Sequence, residues 1–134
     1  MPTLAVRHLS ISIDVPFERA YRYAREHEHF MEWAAGLANS LHKSEHGWVA
    51  DTPEGEAEVL FSPPNDYGVL DHRVQLRGKA AIDIPLRMIA NGDGTEVLFT
   101  LFRQPDMDDA AFERDASLVQ ADLAALKLVL ERNR

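Results

Sequence analysis

Apolar and polar residues alternate along the first part of the chain, over residues 4–14. Leu9, Ile11 and Ile13 fall on one side of this segment, and the residues between them are polar. A period of two residues is typical of a strand with one buried and one solvent-facing side. We therefore predict a half-buried strand at the start of the chain.

Two short helices are predicted after this strand. Pro16 suits the first position of a helix, and Glu18 in the first turn favours the helix dipole. The first helix places an apolar residue every three to four positions, at Phe17, Ala20, Tyr21 and Ala24. The apolar side of the second is predicted to carry Phe30, Trp33, Ala34 and Leu37.

Short runs separated by turn sequences occupy the middle of the chain, between residues 39 and 105. The turns contain Gly or Pro and fall at residues 47, 52–55, 63–66, 77–79 and 91–94. Runs of this length and spacing predict six sequential antiparallel strands. Because no helical pattern separates them, a parallel βαβ arrangement is excluded.

A long helix is predicted for the last part of the chain. Asp106, Asp108 and Asp109 provide a cap and an acidic first turn. Apolar residues then recur at three- and four-residue steps, at Phe112, Ala116, Val119, Leu123, Leu126 and Leu130. No Gly or Pro interrupts roughly 24 residues, so this helix is about 36 Å long and is expected to lie across the whole sheet.

The alternation along neighbouring strands predicts which residues lie opposite each other. Facing positions in a hairpin share one side of the sheet, so apolar residues are expected to pair with apolar residues. The predicted pairs are Trp48 with Val59, Ala50 with Ala57, Leu76 with Ala80, Val74 with Ile82, His72 with Ile84, Ile84 with Leu101, Leu86 with Phe99, Met88 with Val97, and Ala90 with Thr95. One continuous apolar side results, and it includes His72.

The opposite side of the same strands is predicted to carry charge. Arg73 is expected to face Asp83, and Arg87 is expected to lie diagonally next to Asp71. Such exposed cross-strand pairs each contribute well under ~1 kcal/mol.

Charge and composition narrow the functional classes. The chain has 14 Lys and Arg residues against 22 Asp and Glu residues, a formal net charge of −8. This balance disfavours nucleic acids and anionic membrane surfaces as partners, because both attract basic patches. The chain contains no cysteine, which excludes disulfides, thiolate nucleophiles and cysteine-ligated zinc.

Length and hydropathy give expectations about organisation and location. The 134 residues contain no linker or repeat, which predicts a single domain over residues 1–134. No apolar run approaches the roughly 20 residues that cross a bilayer. The first residues lack the continuous apolar segment of a signal peptide. We therefore expect no membrane insertion and a cytoplasmic location.

Several local sequences resemble those of the START/Bet v 1-like (SRPBCC) superfamily. They are residues 12–21 (SIDVPFERAY), 30–33 (FMEW), 67–72 (YGVLDH) and 91–100 (NGDGTEVLFT). With the order of strand, two helices, six strands and long helix, they look like the small bacterial polyketide cyclase/dehydrase-like and lipid-transport group. The resemblance covers nearly the whole chain, residues 4–130.

The resemblance implies an α+β helix-grip fold. In this fold a curved seven-stranded antiparallel sheet surrounds a long C-terminal helix, with two short helices after strand 1. It also implies an internal cavity, which different members use for ligand carriage, sensing or catalysis, so the fold does not assign a function. A nuclear transport factor 2-like cone is the alternative fold, but such chains typically begin with helices and end on strands.

His72 is the candidate catalytic residue. It lies on the predicted apolar side, and a histidine near its ordinary pKa of about 6.5 can donate or accept a proton. The alternative is a core histidine that is hydrogen-bonded to a tyrosine hydroxyl or a backbone carbonyl. The adjacent Asp71 is expected to point to the opposite side, so an Asp71–His72 dyad requires a bulge near Gly68 that shifts the register.

The residues expected to contact a ligand are mostly apolar. They are Trp33, Trp48, Phe61, Leu70, His72, Ile84, Met88, Phe99 and Arg103. For the apolar members the alternative is packing against the last helix. Arg103 is expected to anchor an anionic group of the ligand or to pair with an acid of the last helix such as Asp115.

We expect no metal and no cofactor. His27 and His29 are two residues apart and diverge on a helix, whereas metal-binding histidines on helices are three or four residues apart. His42 and His46 are expected at a strand end and in a turn.

Three functional hypotheses remain open. The first is binding or carriage of a small apolar or amphipathic molecule, favoured by the apolar side and by the lack of a nucleophile or metal motif. The second is a cofactor-free polyketide cyclase or dehydratase that uses His72 as acid and base, as the resemblance implies. The third is a dimerising or co-chaperone-like interaction module. A homodimer would use the second face of the last helix, formed by Ala111, Leu118, Ala125, Leu128 and Val129.

Overall fold

A computed structural model describes residues 2–34, 40–45 and 47–133. The elements in this part of the chain are β1 (Val6–Ile13), α1 (Phe17–Ala24), a 3-10 turn (His27–His29), α2 (Phe30–Trp33), β2 (Ser40–Ser44), β3 (Gly47–Thr52), β4 (Gly55–Phe61), β5 (His72–Leu76), β6 (Ile82–Ile84), β7 (Leu86–Asn91), β8 (Gly94–Phe102) and α3 (Asp109–Arg132). This order is the predicted one, except that seven strands instead of six stand between the short helices and α3 in the described residues. Leu37 and His46, which were assigned to the second helix and to a turn, lie outside the described residues.

The strands form two antiparallel sheets. One has the order β1-β8-β7 and the other the order β2-β3-β4-β5-β6. The prediction of a single seven-stranded sheet is therefore corrected to eight strands in two sheets within the described residues. The cause is Pro85, which interrupts the strand expected from Ile82 to Ala90, because proline has no N–H to donate to a neighbouring strand.

The predicted register is confirmed on both sides of this break, with two exceptions. The confirmed pairs are Trp48–Val59, Ala50–Ala57, His72–Ile84, Val74–Ile82, Leu86–Phe99, Met88–Val97 and Ala90–Thr95. The pairings of Ile84 with Leu101 and of Leu76 with Ala80 were wrong, and the β5–β6 ladder ends at the Val74–Ile82 pair. Ile84 pairs only with His72, and the β7–β8 ladder ends at the Leu86–Phe99 pair, because the chain changes sheets at Pro85.

Residues 68–70 join the two sheets next to the break. Leu70 N–H donates to the Leu86 carbonyl at 2.8 Å, and Met88 N–H donates to the Gly68 carbonyl at 2.9 Å. Gly68 has a φ of +73°, and a Cβ at this position would lie 2.2 Å from the Met88 carbonyl oxygen. Only glycine fits this close approach of two backbones without displacing one of them.

The long helix α3 begins where the acidic cap was predicted. The Asp108 carboxylate accepts a hydrogen bond from Ala111 N–H at 2.8 Å, which satisfies one of the free N–H groups of the first turn. All members of the predicted apolar stripe are buried: Phe112, Ala116, Val119, Leu123, Leu126 and Leu130. The helix packs mainly against β1, α2 and β8, and the two sheets wrap around it as predicted.

Two apolar clusters follow from this arrangement. The larger lies between the three-stranded sheet, α1 and α3, and its most buried members include Val97, Leu123 and Leu126. The smaller joins Ala50 and Val59 of the five-stranded sheet to neighbouring side chains, which are Met31, Leu41, Trp48 and Phe61. Met31 of α2 thus packs against the five-stranded sheet, and a boundary remains between the two clusters where a site can form.

The second face of α3 is less apolar at its surface than the sequence suggested. Val129 is buried, and of the five residues assigned to this face only Leu118 and Leu128 are exposed. The homodimer stays a prediction. None of the helices in the described ranges combines the length and the apolar character that crossing a membrane requires.

Candidate functional site

A cleft lies where the two apolar clusters meet. On one side are α1, the 3-10 turn and α2, and on the other are the ends of β4, β5 and β7. Its volume is about 20 Å³, which is room for about one water molecule. The lining residues are Tyr21, Ala24, Arg25, His27, Phe30, Trp33, Phe61, Ser62, Leu70, His72 and Leu86. The break at Pro85 brings the strand ends together here.

Aromatic rings form the wall of the cleft, with Phe61 at their centre. The Phe61 ring stacks on His27 with 3.9 Å between ring centroids. Phe30 and Trp48 meet it edge-on, at 5.8 Å and 6.5 Å, and His72 lies 5.7 Å away. Edge-to-face and offset contacts at these distances are favourable beyond the area that they bury. The wall is therefore a connected cluster of aromatic rings.

His72 is the most buried titratable group of the cleft, with 6% of its surface exposed. Its Nδ1 lies 3.1 Å from the Leu70 carbonyl oxygen. Since a carbonyl only accepts, Nδ1 carries the proton and Nε2 is left as an acceptor in the neutral ring. Burial lowers the pKa of His72, although the Leu70 carbonyl and the Asp71 carboxylate oppose this effect. Within the described residues no group donates to Nε2.

Asp71 points away from the cleft, as predicted. Its carboxylate accepts hydrogen bonds from Leu86 N–H at 2.9 Å and from the Arg87 guanidinium at 2.7 Å and 3.1 Å. Burial raises the pKa of Asp71, but the hydrogen bonds from Arg87 and Leu86 outweigh it and hold the pKa below its ordinary value. The carboxylate does not orient His72, so the two residues do not form a catalytic dyad.

Two further polar groups lie against the cleft. Trp33 is 4% exposed, and in the part of the chain that the structure describes its Nε1–H has no acceptor. The Tyr21 hydroxyl accepts a hydrogen bond from Asn65 N–H at 2.9 Å, so its own proton remains available. The Ser62 hydroxyl, in contrast, donates to the Asp71 carbonyl at 2.5 Å. Among the described residues, the cleft thus combines one acceptor that has no donor, His72 Nε2, with two donors that have no acceptor, Trp33 Nε1–H and the Tyr21 hydroxyl.

The mouth of the cleft is formed by Arg25 and His27. Arg25 lies 5.9 Å from the Tyr21 ring centroid and 3.7 Å from the Glu26 carboxylate, beyond hydrogen-bond distance. His27 covers Phe61, and burial lowers the pKa of the His27 imidazole more than Glu28 and Glu26 raise it. At the mouth of the cleft, the exposed Arg25 guanidinium therefore lies beside the His27 imidazole, which covers Phe61.

The structure places only some of the residues that were assigned to the site from sequence at the cleft. Trp33, Phe61, Leu70 and His72 line the cleft. Trp48 does not line the cleft, but its ring is in edge-on contact with the rings of Phe61 and His27. Met88 and Phe99 are 1% and 4% exposed and belong to the larger core cluster, and Ile84 packs against that cluster. These three residues do not line the cleft.

Arg103 is engaged elsewhere. Its guanidinium pairs with Asp109 at 2.6 Å and donates to the Met107 carbonyl at 3.0 Å. The expected partner, Asp115, is replaced by Asp109, because Asp109 stands in the first turn of α3 next to the end of β8. Arg103 therefore closes the β8–α3 connection and does not line the cleft.

The remaining histidines have separate contacts. His27 stacks on Phe61, whereas His29 stacks on Tyr23 at 4.2 Å and donates from Nδ1 to the Tyr23 carbonyl at 2.9 Å. The two imidazoles thus diverge, as predicted. His42 lies within β2 and not at its end. No group of three or more His, Asp or Glu side chains in metal-binding arrangement occurs among the residues described.

Sequence reasoning missed five lining residues that contribute chemistry or shape. They are Tyr21, Arg25, His27, Phe30 and Ser62, and the small Ala24 beside them was missed as well. Tyr21 was assigned to the apolar stripe of α1, and Arg25 stands one turn after it. This i, i+4 spacing was the available signal, since it places the two side chains on the same face of a helix.

Comparison with known proteins establishes the fold. No protein-family model matches the sequence. No curated protein matches it either. Among solved structures, the protein XoxI from Bacillus cereus has a TM-score of 0.73 at 14% identity, over 95% of this chain and 96% of that one.

Two other solved structures have the same architecture. A START superfamily protein from Mycobacterium smegmatis has a TM-score of 0.65 at 11% identity, over 96% of this chain and 99% of that one. Ara h 8.0201 has a TM-score of 0.67 at 12% identity, also over 96% and 99%. The chain therefore has the α+β helix-grip fold that the sequence predicted.

Proposed function

We propose that this protein binds a small hydrophobic or amphipathic molecule in the cleft between α1, α2 and the ends of β4, β5 and β7. The observation behind the proposal is the aromatic wall around a buried, neutral His72. An apolar molecule gains about 25 cal/mol for each Å² of surface that it buries. Isolated polar groups among apolar walls are typical of small-molecule sites, in which the walls give affinity and the polar groups give orientation.

Entry of a ligand requires movement at the mouth, because the cleft of about 20 Å³ is smaller than any such molecule. His27 is the residue to move. It stands in a single 3-10 turn that begins after Glu26 in extended conformation, and its ring rests on Phe61. A ligand ring that replaces the imidazole on Phe61 restores the stacking contact, so the opening exchanges one aromatic contact for another.

Arg25 is the anchor for the polar end of an amphipathic ligand. Its guanidinium lines the cleft, and its ion pair with Glu26 at 3.7 Å is longer than a hydrogen bond. An exposed pair of this length contributes well under ~1 kcal/mol. Arg25 thus takes the role that the sequence suggested for Arg103.

Native mass spectrometry of freshly purified protein, with its two tryptophans as fluorescent reporters, tests the proposal. We expect co-purified small molecules that are released on denaturation, and a change of Trp33 fluorescence when 2-naphthol is added. Ala24→Leu, which fills the cleft, should abolish this change. Ala121→Leu, on the exposed side of α3, should leave it intact. No co-purified molecule and no response to 2-naphthol would contradict the proposal.

A cofactor-free cyclase or dehydratase is the second candidate. It is favoured by the neutral His72, whose Nε2 can take a proton, in the same cleft as the free proton of the Tyr21 hydroxyl. In this hypothesis His72→Gln abolishes turnover of a poly-β-keto substrate while the circular dichroism spectrum stays unchanged. Unchanged turnover in the variant would end it.

A further inference from the structure

We propose that His72 makes the cleft discriminate a free aromatic hydroxyl from its methyl ether. The inference rests on the proposed function and deepens it, because it names the group that the ligand brings to the buried end of the cleft. That group is an un-ionised hydroxyl, as in a phenol or an enol, and its O–H donates to Nε2 of His72.

The backbone fixes which nitrogen of His72 receives the ligand. The Leu70 carbonyl lies 3.1 Å from Nδ1 and holds the proton on that nitrogen. The ring is therefore unable to offer a second N–H to the cleft without taking up a proton, and burial disfavours the charged ring. Nε2 can only accept, so the ligand has to donate.

Nε2 of His72 receives no hydrogen bond from the described residues, so its donor has to come from the contents of the cleft. His72 is 6% exposed, and the rings of Phe30 and Phe61 lie 6.1 Å and 5.7 Å from it. Neither ring supplies a hydrogen bond, so a ligand that displaces solvent from the cleft leaves Nε2 unpaired unless it brings a donor itself, and an unpaired buried polar group is unfavourable relative to a paired one. A ligand that donates to Nε2 gains this difference, whereas an equally apolar ligand without a donor does not.

The surroundings of His72 favour a hydroxyl over the other common donors. An ammonium group would have to lose its hydration among aromatic rings and pass the cationic Arg25 at the mouth. A hydroxyl is neutral, and its oxygen can also accept a hydrogen bond. Trp33 lines the same cleft, and its Nε1–H has no acceptor in the described residues, so it can donate a hydrogen bond to the hydroxyl oxygen.

The aromatic body of the ligand follows from the wall. The rings of Phe61, Phe30 and Trp33 line the cleft and pack edge-to-face against one another, so a planar ring system is complementary to them. A methyl ether keeps this ring system and loses only the donor. The pair of hydroxyl and methyl ether therefore isolates the contribution of Nε2.

Isothermal titration calorimetry with 2-naphthol and 2-methoxynaphthalene at pH 7.5 tests the inference. In the native protein we expect 2-naphthol to bind at least about tenfold more tightly. His72→Leu should remove the preference while 2-methoxynaphthalene binds as before. His72→Gln, which keeps an acceptor of similar reach, should retain part of it. His42→Leu, an exposed position on β2, is the matched control and should change neither affinity.

The outcomes separate the two proposals. Equal affinities for the two probes in the native protein overturn the discrimination by His72 and leave the binding function standing. A preference that survives in His72→Leu overturns the assignment to Nε2. Loss of the preference in His42→Leu as well overturns it too. Failure of both probes to bind, together with no co-purified molecule, overturns the inference and the proposed function together.

Discussion

Asp71 and Arg87 form a two-point ion pair across the break between the sheets, with Oδ1 3.1 Å from Nε and Oδ2 2.7 Å from Nη2. Oδ1 also accepts the Leu86 N–H at 2.9 Å, directly after Pro85. The pair was expected from sequence as one member of an exposed lattice. In the structure the Asp71 carboxylate takes the place of a strand carbonyl as the acceptor for the Leu86 N–H. The ion pair with Arg87 holds the start of β5 to the start of β7.

Asp71→Ala should therefore destabilise the protein more than an ordinary surface pair does. We expect a loss of about 1–3 kcal/mol, because Leu86 N–H loses its acceptor. Asp83→Ala breaks the neighbouring exposed pair with Arg73, at 2.7 Å, and should cost less than about 1 kcal/mol. Urea denaturation monitored by circular dichroism measures both. Equal losses would show that Asp71 acts only as a surface charge.

Stability should depend on His72 between pH 5 and pH 7.5. Burial lowers the pKa of His72 in the folded state, whereas the unfolded chain titrates near 6.5. Below that pH the unfolded state binds the proton first, so stability is full above about pH 6.5 and falls as the pH decreases toward the folded-state pKa. Asp71, whose pKa is also lowered, titrates below this window.

The check is the urea midpoint of His72→Gln over the same range. The variant should lose less stability than the native protein between pH 7.5 and pH 5. The stability of the variant should still decrease somewhat as the pH decreases, because burial also lowers the pKa of His27. An unchanged pH profile in His72→Gln would contradict the assignment of His72 as a buried neutral histidine.

Phe61→Ala should open the cleft and create a site for a small aromatic molecule. Because Phe61 is half-buried at the centre of the ring cluster, we expect a cost of about 2 kcal/mol, below that of a fully buried Phe→Ala change. Toluene should raise the melting temperature of the variant more than that of the native protein, since apolar cavities bind such molecules. Leu60→Ala, at a neighbouring position that is 70% exposed, should cost under ~0.5 kcal/mol and give no response.

Arg25→Gln should weaken binding of an anionic ligand specifically. In the native protein we expect 2-naphthoate to bind several-fold more tightly than its uncharged carboxamide, 2-naphthamide, because hydrogen bonds to charged groups are the stronger ones. Arg25→Gln should reduce the affinity for 2-naphthoate to that of the amide. Arg22→Gln, an exposed change on α1 that keeps the same net charge as Arg25→Gln, is the control. An equal effect of both variants would mean that only the general charge matters.

Gly68→Ala should be far more harmful than Gly78→Ala. Both glycines have positive φ, +73° and +77°, so both variants incur the roughly 1–2 kcal/mol of a left-handed non-glycine residue. A Cβ at Gly78 has no heavy atom within 4 Å, whereas at Gly68 it lies 2.2 Å from the Met88 carbonyl oxygen. Equal denaturant midpoints for the two variants would contradict the close approach of the backbones at Gly68 and Met88.

The parts of the fold that depend on local patterns were predictable from the sequence. Alternation fixed the pairing of Leu86 with Phe99 and of Trp48 with Val59, because a shift by one residue moves every side chain to the other side. The stripe of α3 was equally clear. Pro85 was visible in the sequence, yet the apolar pattern on both sides of it favoured one continuous strand, and the split into two sheets was missed.

The location of the cleft could not be obtained in this way. Strand parity placed Met88 and Phe99 on the inner side correctly, but it does not say which element covers that side. The cleft position depends on where α1 and α2 pack, which is set by contacts between residues distant in sequence, such as Tyr21 with Asn65. Arg25 was missed for the same reason, and Arg103 was assigned to the ligand because its contact with Asp109 depends on the path of the β8–α3 connection.

The pairing of β1 with β8 also has a consequence for how the chain folds. Val6 lies opposite Phe102, so the three-stranded sheet cannot close until almost the whole chain has been synthesised. The hairpins of β2 to β6 involve only neighbouring segments, whose ends meet at a smaller loss of chain entropy. We therefore expect strands β2 to β6 to acquire hydrogen-exchange protection first during refolding. β1 should become protected later, together with β8 and α3.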